Sequence, residues 1–391
     1  MNKISYPASS CYLNLLIRSL IAISIFIGSI FFALIIFFIA DYAYSNLRPI
    51  DKTGGTSLML FKDQGWYELN PNQKLQEQWG KSTFEVITDQ LGFRTGPNKP
   101  KSGKAEIIFL GDSFTFGMNP WEESFVGLFD NDSKLKIINA GVVSYSPTAY
   151  LYTYQKALKT EALKKEHIVV IGLDLSDVQD EAAYYLTGLT HPIKRQFWGK
   201  AYQDPNTNFF ISMQKFLQNN MRLTYRIFML VANSPFINPP ENVFITTRSA
   251  FTWEDWNVLN QKPGEEYTPF GRKHYVGYAP LGVAGGLKKI NQNIAELVKL
   301  AKKNNSKVYL LIYPWPAQIK FAQKFNWSNY AKNLCLETHC DGVIDATPIF
   351  IDYAQKNPNW YFHLYTAGDV HFNRNGNQII SNELKKKLSH E

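Results

Sequence analysis

Short apolar segments alternate with helical patterns along most of the chain. Buried strands are predicted at five of them: Ile107–Leu110, Leu135–Asn139, Ile168–Ile171, Val308–Tyr313 and Val343–Ile344. Between and after these strands, apolar residues recur at helical spacing following Ser146-Pro147, from Leu287 to Ala301, and from Ile379 to Leu388. Strands that alternate with helices predict an α/β fold with three α/β/α layers around a five-stranded parallel sheet.

A different pattern occupies the N-terminal region. Ser19–Ala40 contains no charged residue and is rich in Ile and Phe. About 20 apolar residues are enough to cross a bilayer as a helix, so this segment predicts a transmembrane anchor. The alternative is a cleaved signal peptide, whose apolar core is shorter and ends at an A-x-A-like site. Neither Ala40 nor Ala43 has a small residue at that spacing, which favours a retained anchor.

The charges beside this segment predict its orientation. Lys3 and Arg18 precede the span and Asp41 follows it, so residues 1–18 are expected in the cytoplasm and everything after the span outside it, in the periplasm or an equivalent compartment. We expect residues 41–104 to form a polar lead-in and residues 105–391 to form the α/β domain. That domain is interrupted by an insertion at 182–285.

The composition of the chain limits the classes of partner that it is expected to bind. The net charge of +8 suits anionic surroundings such as lipid head groups or acidic glycans, and no Lys/Arg run resembles a nucleic-acid tract. Cys335 and Cys340 lie on the exported side, where a disulfide between them is plausible. His339 lies between them, so the three side chains could be metal ligands. No fourth ligand is nearby in the sequence, and we therefore expect no metal site here.

Residues that follow each predicted strand are the candidates for chemistry. In open parallel sheets the ligand site lies beyond the carboxyl ends of the strands. The polar or unusual residues at those positions are Asp112 and Ser113, Ala140 to Ser144, Asp174 to Asp177, Pro314 to Pro316, and the loop with Asp369 and His371.

Three of these side chains suit nucleophilic catalysis. Ser113 lies where the first strand is expected to turn into a helix, which exposes the hydroxyl and offers helix N–H groups to a developing negative charge. His371 would take the hydroxyl proton, and Asp369 would orient the imidazole. The alternative is that Asp369 is a turn residue and His371 an ordinary surface histidine.

Four sequence blocks resemble the SGNH/GDSL hydrolase superfamily, from about Phe93 to the C-terminus. They are GDSFTFG at 111–117, INAGVVSYS at 138–146, VVIGLDLSDVQDE at 169–181 and DVHFNRNGN at 369–377. LGFR at 91–94 is similar to the segment that precedes the first block in many exported members. The resemblance implies a flavodoxin-like sheet, Ser113 as nucleophile, and Asp369 and His371 as its partners.

The chain departs from the family pattern at two oxyanion positions. Ser144 stands where the family usually has glycine, and Ser176 where it has asparagine. A backbone N–H at Ser144 can still donate, whereas losing the amide of the asparagine costs about 10²–10³ in rate unless another donor such as Asn139 replaces it. The D-x-H spacing of Asp369 and His371 resembles a subgroup that includes exported polysaccharide acetyl-transfer proteins.

The insertion and one tryptophan are further candidates. Residues 209–232 are predicted to form a partly basic helical stretch with Lys215, Arg222 and Arg226. The insertion follows the third strand, so it is expected to rise over the edge of the sheet where the candidate catalytic residues lie. It could be a lid over a polymer or lipid substrate, or a cap packed for stability. Trp315 follows the fourth strand, where it could stack on a sugar ring or an acyl group.

The residues and the resemblance together imply a serine esterase that acts on acyl esters, foremost O-acetyl esters, of an envelope glycan or lipid. One alternative is an O-acyltransferase that receives its acyl group from an integral-membrane partner, and another is a non-catalytic glycan-binding scaffold. Asp112, Asn139, Ser144, Ser176 and Trp315 are the candidates for oxyanion or substrate contacts. No cofactor, metal or nucleic acid is expected.

Overall fold

The computed structural model describes residues 8–47, 58–61, 67–79, 82–97, 103–185, 216–217, 220–232, 264–267, 273–276, 281–321 and 325–388. The chain divides into two compact units. The first combines Met1–Asp51 with Asn208–Ser234, and the second combines Lys52–Thr207 with Pro235–Glu391.

The strands of the described residues, in chain order, are β1 Met59–Phe61, β2 Tyr67–Leu69, β3 Lys74–Trp79, β4 Ser82–Thr88, β5 Arg94–Thr95, β6 Ala105–Leu110, β7 Ile137–Asn139, β8 Leu163–Leu173, β9 Gly264–Tyr267, β10 Lys273–Val276, β11 Lys307–Ile312 and β12 Gly342–Asp345. The α-helices are α1 Ala8–Leu47, α2 Ser113–Phe116, α3 Phe125–Asp132, α4 Pro147–Lys159, α5 Leu175–Gln179, α6 Arg222–Ala232, α7 Gly282–Lys302, α8 Pro316–Lys320, α9 Trp327–Thr338, α10 Thr347–Lys356, α11 Trp360–Leu364 and α12 Arg374–Leu388.

The second unit is built on an eight-stranded sheet with the order β12-β11-β8-β6-β7-β5-β4-β3. The strands from β12 to β7 pair in parallel, and β5, β4 and β3 extend the sheet antiparallel. The strands at the five predicted positions thus pair in parallel, and the sheet is larger than predicted because three strands of the lead-in extend it. Phe84 and Val86 in β4 are buried at every second position, a period-two pattern hidden among polar residues.

Helices cover the parallel part of the sheet. Ile107, Ile108, Phe109 and Leu110 in β6 are all buried although successive side chains point to opposite faces, so both faces are covered. Helix α7 packs on α4 and α9, and α12 packs on α3. The predicted helices over 287–301 and 379–388 are confirmed as α7 and α12.

Two local predictions were refined by the fold. Helix α4 begins at Pro147 as predicted, but the Ser146 hydroxyl does not cap it; it donates to Glu181 Oε1 at 2.7 Å. Cys335 and Cys340 form a disulfide where α9 ends.

The first unit contains the apolar helix. Within α1, residues Leu16–Asn46 are long and apolar enough to cross a membrane, and the large side chains of this stretch are mostly exposed. This range contains the predicted span Ser19–Ala40. Helix α6, which belongs to the insertion, contacts α1 and falls in this unit. The expectation that the insertion rises over the catalytic edge of the sheet stays a prediction.

Candidate active site

The turn that presents Ser113 begins where β6 ends. Asp112 caps the short helix α2 by accepting a hydrogen bond from the Phe114 N–H at 2.9 Å. Gly111 has no room for a side chain, because a Cβ there would clash with Thr115 Oγ1. The chain thus turns sharply and leaves Ser113 half-buried as the first residue of α2.

Ser113, His371 and Asp369 lie in one hydrogen-bonded row. His371 Nε2 is 2.8 Å from Ser113 Oγ, and His371 Nδ1 is 2.9 Å from Asp369 Oδ1. Ser113 and His371 are 258 positions apart in the sequence. An imidazole nitrogen at this distance can accept the proton of a hydroxyl as that hydroxyl attacks an electrophile.

The loop that carries Asp369 and His371 is held by its own hydrogen bonds. The Asp369 N–H donates to Tyr361 Oη at 3.0 Å, and the Thr366 N–H donates to the His371 carbonyl at 2.9 Å. Burial alone would raise the pKa of Asp369. The neighbouring His371 charge and the hydrogen bonds from His371, Trp79 and Val370 outweigh burial and leave this pKa below its usual value. The carboxylate is therefore kept in the charged form that an imidazolium prefers beside it.

Trp79 is the residue at this site that the sequence did not reveal. It ends strand β3 in the lead-in, and its indole N–H donates to Asp369 Oδ2, the oxygen that His371 does not use. Its ring meets the His371 ring edge to face, with centroids 5.5 Å apart and an interplanar angle of 87°. Trp79 remains 37% exposed, so the lead-in supplies part of the wall of the site. The local pattern contains little signal for it, because Leu75 and Trp79 are the only apolar residues of β3.

Ser176 lies between two buried carboxyl groups. Its hydroxyl is 2.7 Å from Asp174 Oδ1 and 3.5 Å from Asp112 Oδ2. Burial first, and then the charge of Asp174, raises the pKa of Asp112 well above its usual range. Burial also raises the pKa of Asp174. The Ser176 hydroxyl is thus engaged by Asp174 at the short distance, and the proton-holding forms of the two acids are favoured.

Asn139 does not point an amide at the nucleophile. Its Nδ2 donates to the carbonyls of Thr115 and Phe116 at 2.9 and 3.4 Å, and its side chain is buried. It therefore ties the end of β7 to helix α2. The idea that Asn139 replaces the missing oxyanion donor was wrong, because its amide hydrogens serve these carbonyls.

Ser144 has a left-handed backbone conformation. Its φ is +58°, in the region that residues with a Cβ disfavour and that glycine adopts readily. The hydroxyl hydrogen-bonds Tyr67, and the carbonyl accepts from Tyr185 Oη at 3.2 Å. The conformation is thus held by one contact on the side chain and one on the backbone.

Trp315 lies under the site and is only 7% exposed. Its indole N–H donates to Asp174 Oδ2 at 3.0 Å, and its ring packs against Phe114 at 5.9 Å between centroids. A ring this buried offers little face to a sugar, so the structure favours a supporting position over the stacking role predicted for it. Phe114 in turn lies 4.8 Å from the His371 ring.

Arg94 of the LGFR segment fixes the loop that follows α2. Its buried guanidinium donates to the carbonyls of Phe116 at 2.5 Å, Gly117, and Asn119 at 2.7 Å, and it lies 4.7 Å from the Phe116 ring centroid. This segment thereby couples the added strand β5 to the nucleophile turn. Within the described ranges, no three His, Cys, Asp or Glu side chains are grouped as metal ligands would be.

Comparison with known proteins finds solved structures with a similar fold, but no match by sequence. No family model matches the chain, and no curated protein matches it. Among solved structures, a lipolytic protein of the G-D-S-L family from Veillonella parvula shares 11% identity, covers 73% of this chain and 98% of its own, and has a TM-score of 0.39. The acetyl xylan esterase AlAXEase shares 16% identity over 72% of this chain and 98% of its own, with a TM-score of 0.38.

A catalytic mutant of Axe2, an acetylxylan esterase from Geobacillus stearothermophilus, shares 12% identity over 74% of this chain and 97% of its own, with a TM-score of 0.37. At such identities and TM-scores these structures carry no weight for the chemistry, which rests on the side chains described above.

Proposed function

We propose that this chain is a membrane-anchored serine esterase of the SGNH type. Its substrate is a short acyl ester, foremost an O-acetyl ester, on an envelope glycan or lipid. The observation that carries the proposal is the row Ser113–His371–Asp369, with heavy-atom distances of 2.8 and 2.9 Å. A hydroxyl, an imidazole and a carboxylate in this row form the constellation that activates a serine for acyl transfer.

The proposed reaction proceeds through an acyl-enzyme. Ser113 Oγ attacks the ester carbonyl carbon while His371 Nε2 takes its proton. The tetrahedral oxyanion collapses, the alcohol leaves with the proton returned by His371, and the acyl group stays on Ser113 Oγ. Water then attacks the acyl carbon with His371 as base, which releases the carboxylic acid and restores the serine. Asp369 holds the imidazole and stabilises its charged form.

We assign the backbone N–H groups of Ser113 and Ser144 as the donors to the oxyanion. Support comes from the φ of +58° at Ser144, a conformation that glycine adopts readily, at the position where the resembled superfamily usually has glycine. The Ser176 hydroxyl is a weak further donor because Asp174 engages it. We therefore expect a slower enzyme than one with an asparagine at this position, by up to about 10²–10³.

The exported location is supported by three features. The apolar helix Leu16–Asn46 can cross a membrane, Lys3 and Arg18 precede its apolar core, and Cys335 and Cys340 form a disulfide. Disulfides persist outside the cytoplasm, and positive residues stay inside it. An extracytoplasmic domain anchored at a membrane meets glycans and lipids of the envelope, which is why we place the substrate there.

Labelling and turnover test this proposal together. The full chain in detergent is incubated with an organophosphonate probe and, separately, with a panel of acyl esters of increasing length. We expect covalent labelling and fastest turnover of acetyl esters, with both lost in Ser113→Ala. Absence of labelling in wild-type protein that melts cooperatively would reject the enzyme and favour the non-catalytic glycan-binding scaffold.

An O-acyltransferase is the second candidate, favoured by the D-x-H spacing of Asp369 and His371 and by the membrane anchor. A sugar hydroxyl would then replace water in the second half-reaction, and an integral-membrane protein would supply the acyl group. Adding acceptor oligosaccharide to the ester assay separates the two. Transfer of acetyl to sugar at the expense of acetate favours the transferase, and unchanged acetate release favours the esterase.

A further inference from the structure

The C-terminal turns of the apolar helix cap a second helix of the first unit. Asp41 of α1 accepts hydrogen bonds from the N–H groups of Leu223 at 2.8 Å and Thr224 at 2.9 Å, and from the Thr224 hydroxyl. One turn later, Ser45 Oγ accepts from the Arg222 N–H at 3.0 Å. Three N–H groups at the start of α6 thus find their acceptors on α1.

Such caps determine where a helix begins. The first turn of any helix has N–H groups without intrahelical partners, and one capping side chain stabilises a helix by about 0.5–2 kcal/mol. Asp41 is completely buried here although it is an acid. A buried carboxylate is tolerated only where hydrogen bonds replace its water, and α6 supplies them. We therefore interpret the capping of α6 by Asp41 and Ser45 as a specific contact that stabilises the packing of α6 on α1.

This contact lies where the apolar span ends. Leu16 to Ala40 rises about 37 Å as a helix, enough to cross a hydrocarbon core of about 30 Å. Asp41 is the next residue. The start of α6 is therefore held at the level where the anchor leaves the hydrocarbon. Tyr44, whose hydroxyl accepts from Arg226 Nη1 at 2.6 Å, adds the aromatic and basic pair typical of membrane interfaces.

Helix α6 carries an apolar stripe with no protein cover in the described part of the chain. Ile227, Leu230 and Val231, at helical spacing i, i+3 and i+4, are 43%, 72% and 53% exposed. We propose that α6 lies in the plane of the membrane surface, with this stripe inserted among the lipid chains nearest the head groups and its first turn fixed by Asp41 and Ser45. The occupant is the bilayer that α1 itself crosses.

Cleavage of the apolar segment as a signal peptide after Ala43 would delete Asp41, which accepts from two of the three capped N–H groups of α6. We therefore expect the mature chain to keep the segment, with α6 as a second contact with the membrane. An interfacial helix typically buries its apolar face about 5–10 Å below the membrane surface.

Depth-dependent fluorescence quenching tests the insertion. The full chain, with Cys11→Ser so that the label goes to one position, carries a single Ile227→Cys or Leu230→Cys labelled with a polarity-sensitive fluorophore. It is reconstituted in vesicles of phosphatidylethanolamine and phosphatidylglycerol. Ile351→Cys on α10 is the matched control, since Ile351 is 40% exposed and Ile227 is 43% exposed.

We expect blue-shifted emission at residues 227 and 230, with quenching by nitroxide lipids labelled near the head group at least about twofold greater than at residue 351. Aqueous iodide should quench residue 351 more strongly. Asp41→Ala in the Leu230→Cys background should reduce the lipid quenching while the chain stays in the membrane.

Three results would overturn the proposal. The first is an intact mass of membrane-purified protein that lacks the apolar segment. The second is iodide quenching at residues 227 and 230 equal to that at residue 351. The third is blue-shifted emission at those residues without quenching by nitroxide lipids, which would mean that a protein surface, and not lipid, covers the stripe.

Discussion

Trp79 and Asp369 are hydrogen-bonded to each other although 290 positions separate them in the sequence. The indole N–H occupies Asp369 Oδ2, and His371 Nδ1 occupies Oδ1 at 2.9 Å. The carboxylate therefore cannot rotate without losing one partner. The lead-in strand β3, which lies at the edge of the sheet, thereby takes part in orienting the imidazole.

Trp79→Phe should slow catalysis without harming binding. Phenylalanine keeps a ring beside His371 but removes the donor to Asp369, and a hydrogen bond to a charged group is worth about 1.5–3 kcal/mol when buried. Because Trp79 is 37% exposed, we expect a loss at the low end of this energy range. That corresponds to about a tenfold fall in kcat, with KM unchanged. Steady-state kinetics on an acetyl ester measure this.

Trp360→Phe is the control for Trp79→Phe, since Trp360 lies on α11, where its ring contacts those of Tyr361 and Tyr365. It should leave kcat unchanged. Equal activity of Trp79→Phe and wild type, or a rise in KM alone, would show that the indole N–H does not position Asp369.

Sequence motifs and strand order identified Ser113, His371 and Asp369 as candidate neighbours. Ser113 directly follows β6, and parallel strands place their carboxyl ends together. Asp369 and His371 lie in the loop between α11 and α12, so the sequence motif was the signal for these two residues. The same logic gave Ser176 and Trp315 a position near the site, because both also follow strands. A local sequence pattern can predict such positions, because the end of a strand is determined by residues that are close in sequence.

The contributions of Trp79 and Asn139 needed three-dimensional pairing. Strand β5 joins the sheet through one bridge between Arg94 and Asn139, and that pairing brings the antiparallel strands with Trp79 toward the site. No local periodicity specifies such a long-range pairing. The burial of Trp315 and the capping of α6 by Asp41 were missed for the same reason, because each depends on a partner far away in the chain.

Ser176→Asn should accelerate the enzyme. Asparagine would supply a side-chain amide donor, as in the superfamily that the sequence blocks resemble, and one oxyanion donor is worth about 10²–10³ in rate. Allowing for imperfect placement, we expect kcat to rise about tenfold or more, measured on the best ester of the panel with melting temperature as a check on folding.

Ser176→Ala is the matched control for Ser176→Asn. The Ser176 hydroxyl is engaged by Asp174 at 2.7 Å, so its loss should change kcat by less than about threefold. A loss of 10²-fold or more in Ser176→Ala would contradict our assignment, because it would mean that serine already serves as the oxyanion donor.

Ser144→Gly should be more stable than Ser144→Ala. The φ of +58° at Ser144 costs a residue with a Cβ about 0.5–1 kcal/mol relative to glycine. Glycine also loses the hydroxyl that contacts Tyr67, so the informative comparison is with Ser144→Ala, which loses the same hydroxyl. We expect Ser144→Gly to exceed Ser144→Ala by about 1 kcal/mol in free energy of unfolding, measured by urea denaturation. Equal stability of the two variants would contradict the left-handed conformation.

Asp112→Asn should flatten the dependence of stability on pH. Burial and the charge of Asp174 raise the pKa of Asp112 in the folded state. A carboxyl whose folded pKa is raised contributes stability that is complete below its unfolded pKa of about 3.9 and is lost as pH rises through the folded pKa. An amide has no proton to lose in this range. The substituted asparagine can keep the cap of α2, because its side-chain carbonyl oxygen can still accept from the Phe114 N–H.

The free energy of unfolding of Asp112→Asn relative to wild type should therefore increase from pH 4 to pH 8, by about 1.4 kcal/mol for each unit by which the pKa is raised. Urea denaturation across this range, followed by tryptophan fluorescence, measures the difference. Asp352→Asn removes an exposed carboxyl on α10 and should give a nearly constant difference. If Asp112→Asn also gives a constant difference, Asp112 is charged in the folded protein at neutral pH, and the crowded carboxyl pair beneath Ser113 does not hold a proton.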